Sequence, residues 1–291
     1  MLVSEFLTRV SYALRGTDDD APTVGTEEAT YVLSLFNRKK DELYRDSRLR
    51  LTAAWKETAP NEPGTVATTG TTTLTGTNTY FTDYQIGDKI TVSGETVRTI
   101  QAIASDTSLT VTVAFSNTAS GKTFTHASII ASGDQSYSVH RDFLYPSDKV
   151  VITDTNSKTH DYTVIKPQER SSLTREVYLH GLNPYTLTFT STIGSAEDIV
   201  GGTLSIPGFY LPADVSAATD LIPVDDPNWA VMATAAEYAF NDVVYEEKAP
   251  DLNDKANALF SAMLAKNRAG TFGNPRRMPY RGYRIGVRES R

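Results

Sequence analysis

Residues 65–126 read TVATTGTTTLTGTNTYFTDYQIGDKITVSGETVRTIQAIASDTSLTVTVAFSNTASGKTFTH. Nineteen of these 62 residues are threonine and only seven are charged. Threonine is stiff at its first side-chain torsion and favours extended backbone. Apolar residues alternate with polar ones as on half-buried strands: Ile90 and Val92, then Ile100, then Leu109, Val111 and Val113. Gly76-Thr77-Asn78, Ser93-Gly94 and Ser105-Asp106 separate the runs as turns. The stretch is expected to form a self-contained antiparallel β-domain over residues 64–126.

A second β-rich region is expected over residues 127–215. Its candidate strands are Lys149–Thr153, Tyr162–Ile165, Arg175–Tyr178, Thr186–Thr190 and Thr203–Phe209, densely punctuated by Pro and Gly. Helical spacing appears only at the two ends of the chain. Leu2, Phe6, Val10 and Leu14 predict a first helix ending near Gly16. Thr26 is a candidate N-cap for a second, with Glu27 and Glu28 in its first turn. No Gly or Pro interrupts residues 27–57, where Tyr31, Leu35, Leu43, Leu51 and Trp55 form a narrow apolar stripe. Near the other end, Asp226 is a candidate N-cap followed by Pro227 at the first helical position. Trp229, Met232, Ala236, Phe240, Val243 and Val244 then read as one apolar face. Pro250 breaks that helix, and Leu252, Ala256, Leu259, Phe260 and Met263 predict a last helix ending near Gly270. The expected fold is α+β: one helical domain built from residues 1–58 and 225–270, with two inserted antiparallel β-regions and an extended C-terminal tail.

That tail, residues 271–291, reads TFGNPRRMPYRGYRIGVRESR. Six arginines and one glutamate give it +5, on a chain of net charge −7, so the first 270 residues carry −12. Pro275 and Pro279 forbid a continuing helix. Arginine is used to the exclusion of lysine and is interleaved with tyrosines and aliphatics, the residue types of interface hot spots and bidentate anion pairing. The segment is expected to be disordered alone and to order on an acidic protein partner, with Tyr283, Ile285 and Val287 alternating as in strand addition. An acidic body also repels a polyanion, so protein docking is favoured over nucleic-acid binding.

Composition excludes several classes. The chain has no cysteine, so disulfides, zinc–thiolate sites and thiol nucleophiles are ruled out. No apolar run approaches the ~18 residues that span a membrane, so no membrane role is expected. Ser120-Gly121-Lys122-Thr123 echoes a phosphate-binding loop, but Ser116 stands where the leading glycine belongs and the flanks alternate like strands. His126, His140, His160 and His180 have no metal-ligand spacing and read as four unrelated histidines. The charges at Arg38, Lys39, Lys40, Asp41 and Glu42 read as ion pairs on a wet helix. No enzyme activity, cofactor or metal is expected.

Three stretches resemble a known family. They are the N-terminal helical segment with Tyr31-Val-Leu-Ser-Leu-Phe36, the run from Asp225 to Phe240 continued through Leu252–Arg268, and the arginine-rich extension. Together they resemble the tailed-bacteriophage head-to-tail adaptors, the neck or connector proteins beneath the portal. The threonine-rich stretch, with Tyr80-Phe81, Ile86-Gly87-Asp88-Lys89-Ile90 and Leu109-Thr110-Val111, is similar to a β-module recurring in phage structural proteins. The two β-regions depart from the smaller, mostly helical adaptors. The resemblance implies a virion protein made in the host cytoplasm, forming a homo-oligomeric ring of twelve copies. Such a ring would join the portal to a tail-side neck or tail-terminator protein and surround part of the double-stranded DNA channel. It would dock its C-terminal extension on the portal through Arg276, Arg277, Tyr280, Arg281, Tyr283, Arg284, Ile285 and Arg288. An acidic lumen would let DNA slide without sticking. The alternative reading is a surface-adhesion or glycan-binding protein using Tyr80, Phe81, Tyr84, Phe115 and Phe124 of the β-domain.

Overall fold

A computed structural model describes residues 1–17, 20–45, 54–165, 175–181 and 185–268. Helix α1 (Val3–Arg15) buries Val3, Phe6, Leu7, Val10 and Leu14 on one stripe. It stops at Gly16, whose left-handed conformation (φ 80°) lets its N–H reach the Tyr12 carbonyl at 2.8 Å. Helix α2 (Glu27–Arg45) starts where the Thr26 hydroxyl accepts the Ala29 N–H at 3.2 Å. Helix α3 (Pro227–Phe240) is capped by the Asp226 carboxylate, which accepts the Asn228 N–H at 3.0 Å. Ala230, Ala235 and Ala239 on α3 are fully buried. These small side chains let α1, α2 and the last helix, α4 (Ala249–Arg268), close around α3 from several sides.

The threonine-rich stretch folds into a seven-stranded antiparallel sheet. Its strands are β2 (Thr65–Thr69), β3 (Thr73–Thr77), β4 (Lys89–Val92), β5 (Arg98–Ser105), β6 (Ser108–Val111), β7 (Thr118–Lys122) and β8 (Phe124–Ala127), in the order β7-β2-β3-β6-β5-β4-β8. Val66, Leu74, Ile90, Val92, Ile100, Leu109 and Val111 point into one dry core with Phe81, Phe115 and Phe124. Val113, read in the same alternating run, stands outside the strands and is 59% exposed.

A six-stranded sheet follows, ordered β15-β11-β12-β13-β14-β9. It comprises β9 (Ser136–Ser138), β11 (Lys149–Thr153), β12 (Thr159–Ile165), β13 (Glu176–His180), β14 (Thr186–Phe189) and β15 (Thr203–Ser205). It is not purely antiparallel, because β12 and β13 run parallel. The expected strand Thr203–Phe209 splits at Ile206-Pro207. Its second half, β16 (Gly208–Tyr210), joins a separate three-stranded sheet between β1 (Trp55–Lys56) and β10 (Phe143–Pro146).

The fold class expected from sequence is therefore corrected. Among the described residues, sixteen strands in three sheets outweigh four α-helices, and two of the sheets curl into half-barrels. The molecule is mostly β rather than a helical domain carrying two inserted β-regions. The reason lies in the helical core. Narrow helix stripes leave too little apolar surface to close on one another alone. Leu144 and Phe209 of the three-stranded sheet, with Leu211, Val215, Ile222 and Val224, complete the same cluster as Phe6, Phe36 and Trp229. Trp55, assigned to a helix stripe, is in β1 and meets Phe209 edge-on with ring centroids 5.3 Å apart.

Candidate functional site

The eight tail residues carried over from the adaptor resemblance, Arg276, Arg277, Tyr280, Arg281, Tyr283, Arg284, Ile285 and Arg288, lie outside the described residues. Among the described residues, helices α3 and α4 precede them in the chain. Helix α3 ends at Phe240, where Asn241 turns its N–H to the Tyr238 carbonyl at 3.0 Å. The expected apolar face does not continue past that point. Phe240, Val243 and Val244 are 56%, 90% and 79% exposed. Tyr245 turns back to pack on the helical core, and the Lys248 ammonium donates to the Leu14 carbonyl at the end of α1. The corner between α3 and α4 thus stands on braced backbone while presenting three apolar side chains to water.

Beside the corner, α2, α3 and α4 enclose an open cleft of about 230 Å³ lined by Leu43, Trp229, Ala236, Phe240 and Ala256. That is smaller than the roughly 300–1,000 Å³ of ordinary small-molecule sites. Its acid Glu237 is engaged by Arg38 and by Lys39, the latter at 3.1 Å. The charged run of α2 is therefore interhelical pairing in part. Lys40 departs from the wet-helix reading altogether: it is fully buried and donates to the Pro212 carbonyl at 2.7 Å and to Asp214 at 2.8 Å.

The other motifs resolve into structure. Ser120, Gly121 and Lys122 lie in β7, and Thr123 leads into β8 rather than into a helix. Of the aromatics considered as a sugar platform, Phe81, Phe115 and Phe124 are in the core, and the Tyr80 ring lies under the Arg141 guanidinium at 3.6 Å. Tyr84 is stacked on His126, with centroids 3.9 Å apart and planes 8° apart. Among the described residues no group of three or more His, Cys, Asp or Glu side chains could hold a metal ion, and no helix is long and apolar enough to cross a membrane.

The histidines are not four unrelated residues. His160 is buried and bonds the Asp154 carboxylate at 3.0 Å, and His180 meets the Thr188 hydroxyl at 2.9 Å. His126 and His140 converge on one buried acid, Glu62. Gly64 fixes that acid's place where the chain enters the sheet. It has φ +85°, and a β-carbon there would sit 2.4 Å from the Thr77 carbonyl, so only glycine fits. The Glu62 N–H donates to the Phe124 carbonyl at 2.9 Å, joining the acid to the seven-stranded sheet. One Glu62 oxygen is 3.9 Å from His126 Nδ1 and the other 3.6 Å from His140 Nε2. The Tyr84 hydroxyl hydrogen-bonds the same carboxyl.

Neighbouring bonds set the tautomer of His140. Its Nδ1 accepts the Asp142 N–H at 3.0 Å, so Nε2 carries the proton and donates to the Asn61 carbonyl at 3.2 Å. Burial pushes this imidazole down to about 4. Burial, with the charges of Asp142 and Asp83, pushes Glu62 up to about 8. Asp88, on the far side of His126, accepts from His126 Nε2 at 2.7 Å, the Gln85 N–H at 2.9 Å and the Ile129 N–H at 2.8 Å. No sequence signal joined Glu62, Tyr84, His126 and His140, because each sits in a different loop or strand. No family model and no curated protein matches the chain.

Proposed function

We propose that the protein is a non-catalytic structural connector, a head-to-tail adaptor subunit of a tailed-phage virion. It assembles as a homo-oligomeric ring and docks its C-terminal segment on the portal. The observation that carries this reading is the α3–α4 corner, where Phe240, Val243 and Val244 face water on a braced support. Exposed apolar side chains on rigid backbone suit a repeated contact between copies. Helix α4 leads from that corner toward residues 271–291, whose charge of +5 suits an acidic partner ring. Twelve such segments acting together would bind with far higher avidity than one.

The test is removal of residues 271–291. The shortened chain should stay folded and keep its self-association, yet lose co-sedimentation with portal rings. Retained portal binding would remove the tail's assigned role. Binding of glycans by the shortened chain, with no assembly on portal, would favour the adhesion reading instead.

A further inference from the structure

The seven-stranded and six-stranded sheets keep separate apolar cores with no residue in common. Much of what joins them is polar. The Arg141 guanidinium crosses to Asp83 at 2.7 Å, and the Gln85 side chain donates to the Ser136 carbonyl at 3.0 Å. Asp88 accepts the Ile129 N–H, and Glu62 lies buried between His126 on its own sheet and His140 on the other side. We propose that this seam is a proton-gated hinge: the threonine-rich sheet is docked on the rest of the molecule while the Glu62 carboxyl is uncharged, and swings free when it ionises.

The geometry gives the hinge its two sides. Glu62 moves with the sheet through its bond to Phe124, as do Asp83, Tyr84, Asp88 and His126. On the other side stand His140, Arg141, Asp142 and the Tyr210 hydroxyl. The second connection pivots at Ala127–Ser128, because Ser128 and Ile130 are already bonded along β15, to Leu204 at 3.0 Å and Gly202 at 2.9 Å.

Among the described residues, a charge on Glu62 finds no hydrogen-bonded cation in this setting. Arg141 is engaged by Asp83, and both nitrogens of His140 are committed to backbone groups. His126 Nε2 is committed to Asp88, and its Nδ1, the nitrogen facing Glu62, stands 3.9 Å away, beyond hydrogen-bond reach. The Asp142 carboxylate across the seam repels a second negative charge. Tyr84 and Tyr210 are held neutral by burial; the Tyr84 hydroxyl bonds the Glu62 carboxyl, whereas the Tyr210 hydroxyl donates to the Ile206 carbonyl at 2.6 Å.

The pH dependence follows from the direction of the shift. Docking holds the Glu62 proton more tightly than solvent does, so docking strength is full below the ordinary glutamate value of 4.5 and is lost as pH rises through about 8. His140 acts in the opposite sense, and its contribution is lost as pH falls from 6.5 through about 4.

The experiment is hydrogen exchange on the full chain at pH 6 and pH 9, corrected for intrinsic rates and read at the Ile129 amide. Amides of β6 and β14, one strand in each sheet, serve as internal controls. Protection at Ile129 should fall by at least about ten-fold in the native protein and by less than about two-fold in Glu62→Gln. Asp142→Asn should shrink the fall, which keeps the proposal testable should the glutamine variant fold poorly. A flat native profile overturns the hinge. So does an equal fall in Glu62→Gln, or a parallel loss at β6 and β14.

Discussion

The seven-stranded sheet and the helical body bury their apolar residues by opposite routes. Every core residue of the sheet, from Val66 to Phe124, comes from one continuous stretch of chain. The helical body gathers its core from α1, α2, the three-stranded sheet, the irregular segment around Val215 and Ile222, and α3 and α4. In the sheet, a period of two decides which side chains go inside, and local pattern suffices. In the body, each piece supplies only a strip, and the closing surface comes from residues some two hundred positions away.

The sharpest way to break this comparison is to cut each core once. Phe36 is fully buried and packs on Phe6 with centroids 5.0 Å apart, so Phe36→Ala should cost about 4 kcal/mol. Chemical denaturation should then show helices and the Trp55 signal lost together, because β1 shares that core. Leu109→Ala, at a fully buried position of β6, should cost about 3 kcal/mol. Its effect should stay within residues 64–127, leaving helical circular dichroism intact at the denaturant concentration that melts the sheet. Helix loss in step with the sheet would show that the two regions are one cooperative unit. The smallest effect on stability is expected at the corner. Val243→Ser with Val244→Ser should change stability by no more than about 0.5 kcal/mol while reducing self-association in sedimentation. Unchanged association would remove the corner from the interface.

The same contrast explains what could be read in advance. The Gly16 terminator, the Thr26 and Asp226 caps and strand β11 at Lys149–Thr153 were legible because each depends on residues within a few positions of itself. Trp55 was misassigned because nothing local breaks residues 27–57, whereas its partner Phe209 lies far along the chain. Val243 and Val244 continued an apolar spacing, but α3 had already ended at Phe240. Tyr31, assigned to the α2 stripe, is 42% exposed and meets Tyr238 at its edge. Lys40 carries the composition of a solvated residue, and the Pro212 carbonyl and the Asp214 carboxylate, both far along the chain, make its burial tolerable. The Glu62 seam was illegible for the same reason: its acid, two imidazoles and phenol come from four separate segments that only the fold brings together.

The placement of α3 also sets an order of events during synthesis. Its fully buried alanines accept α1 and α2, yet α3 begins only at Pro227. At roughly 5–20 residues per second, the ribosome takes about 10–40 seconds to make the intervening chain. For that interval the stripes of Phe6, Val10 and Phe36 have no final home, while residues 64–127 already contain everything their sheet requires. The threonine-rich sheet is thus the natural first product of the nascent chain. The N-terminal helices are the stretch most in need of chaperone protection until the last hundred residues arrive.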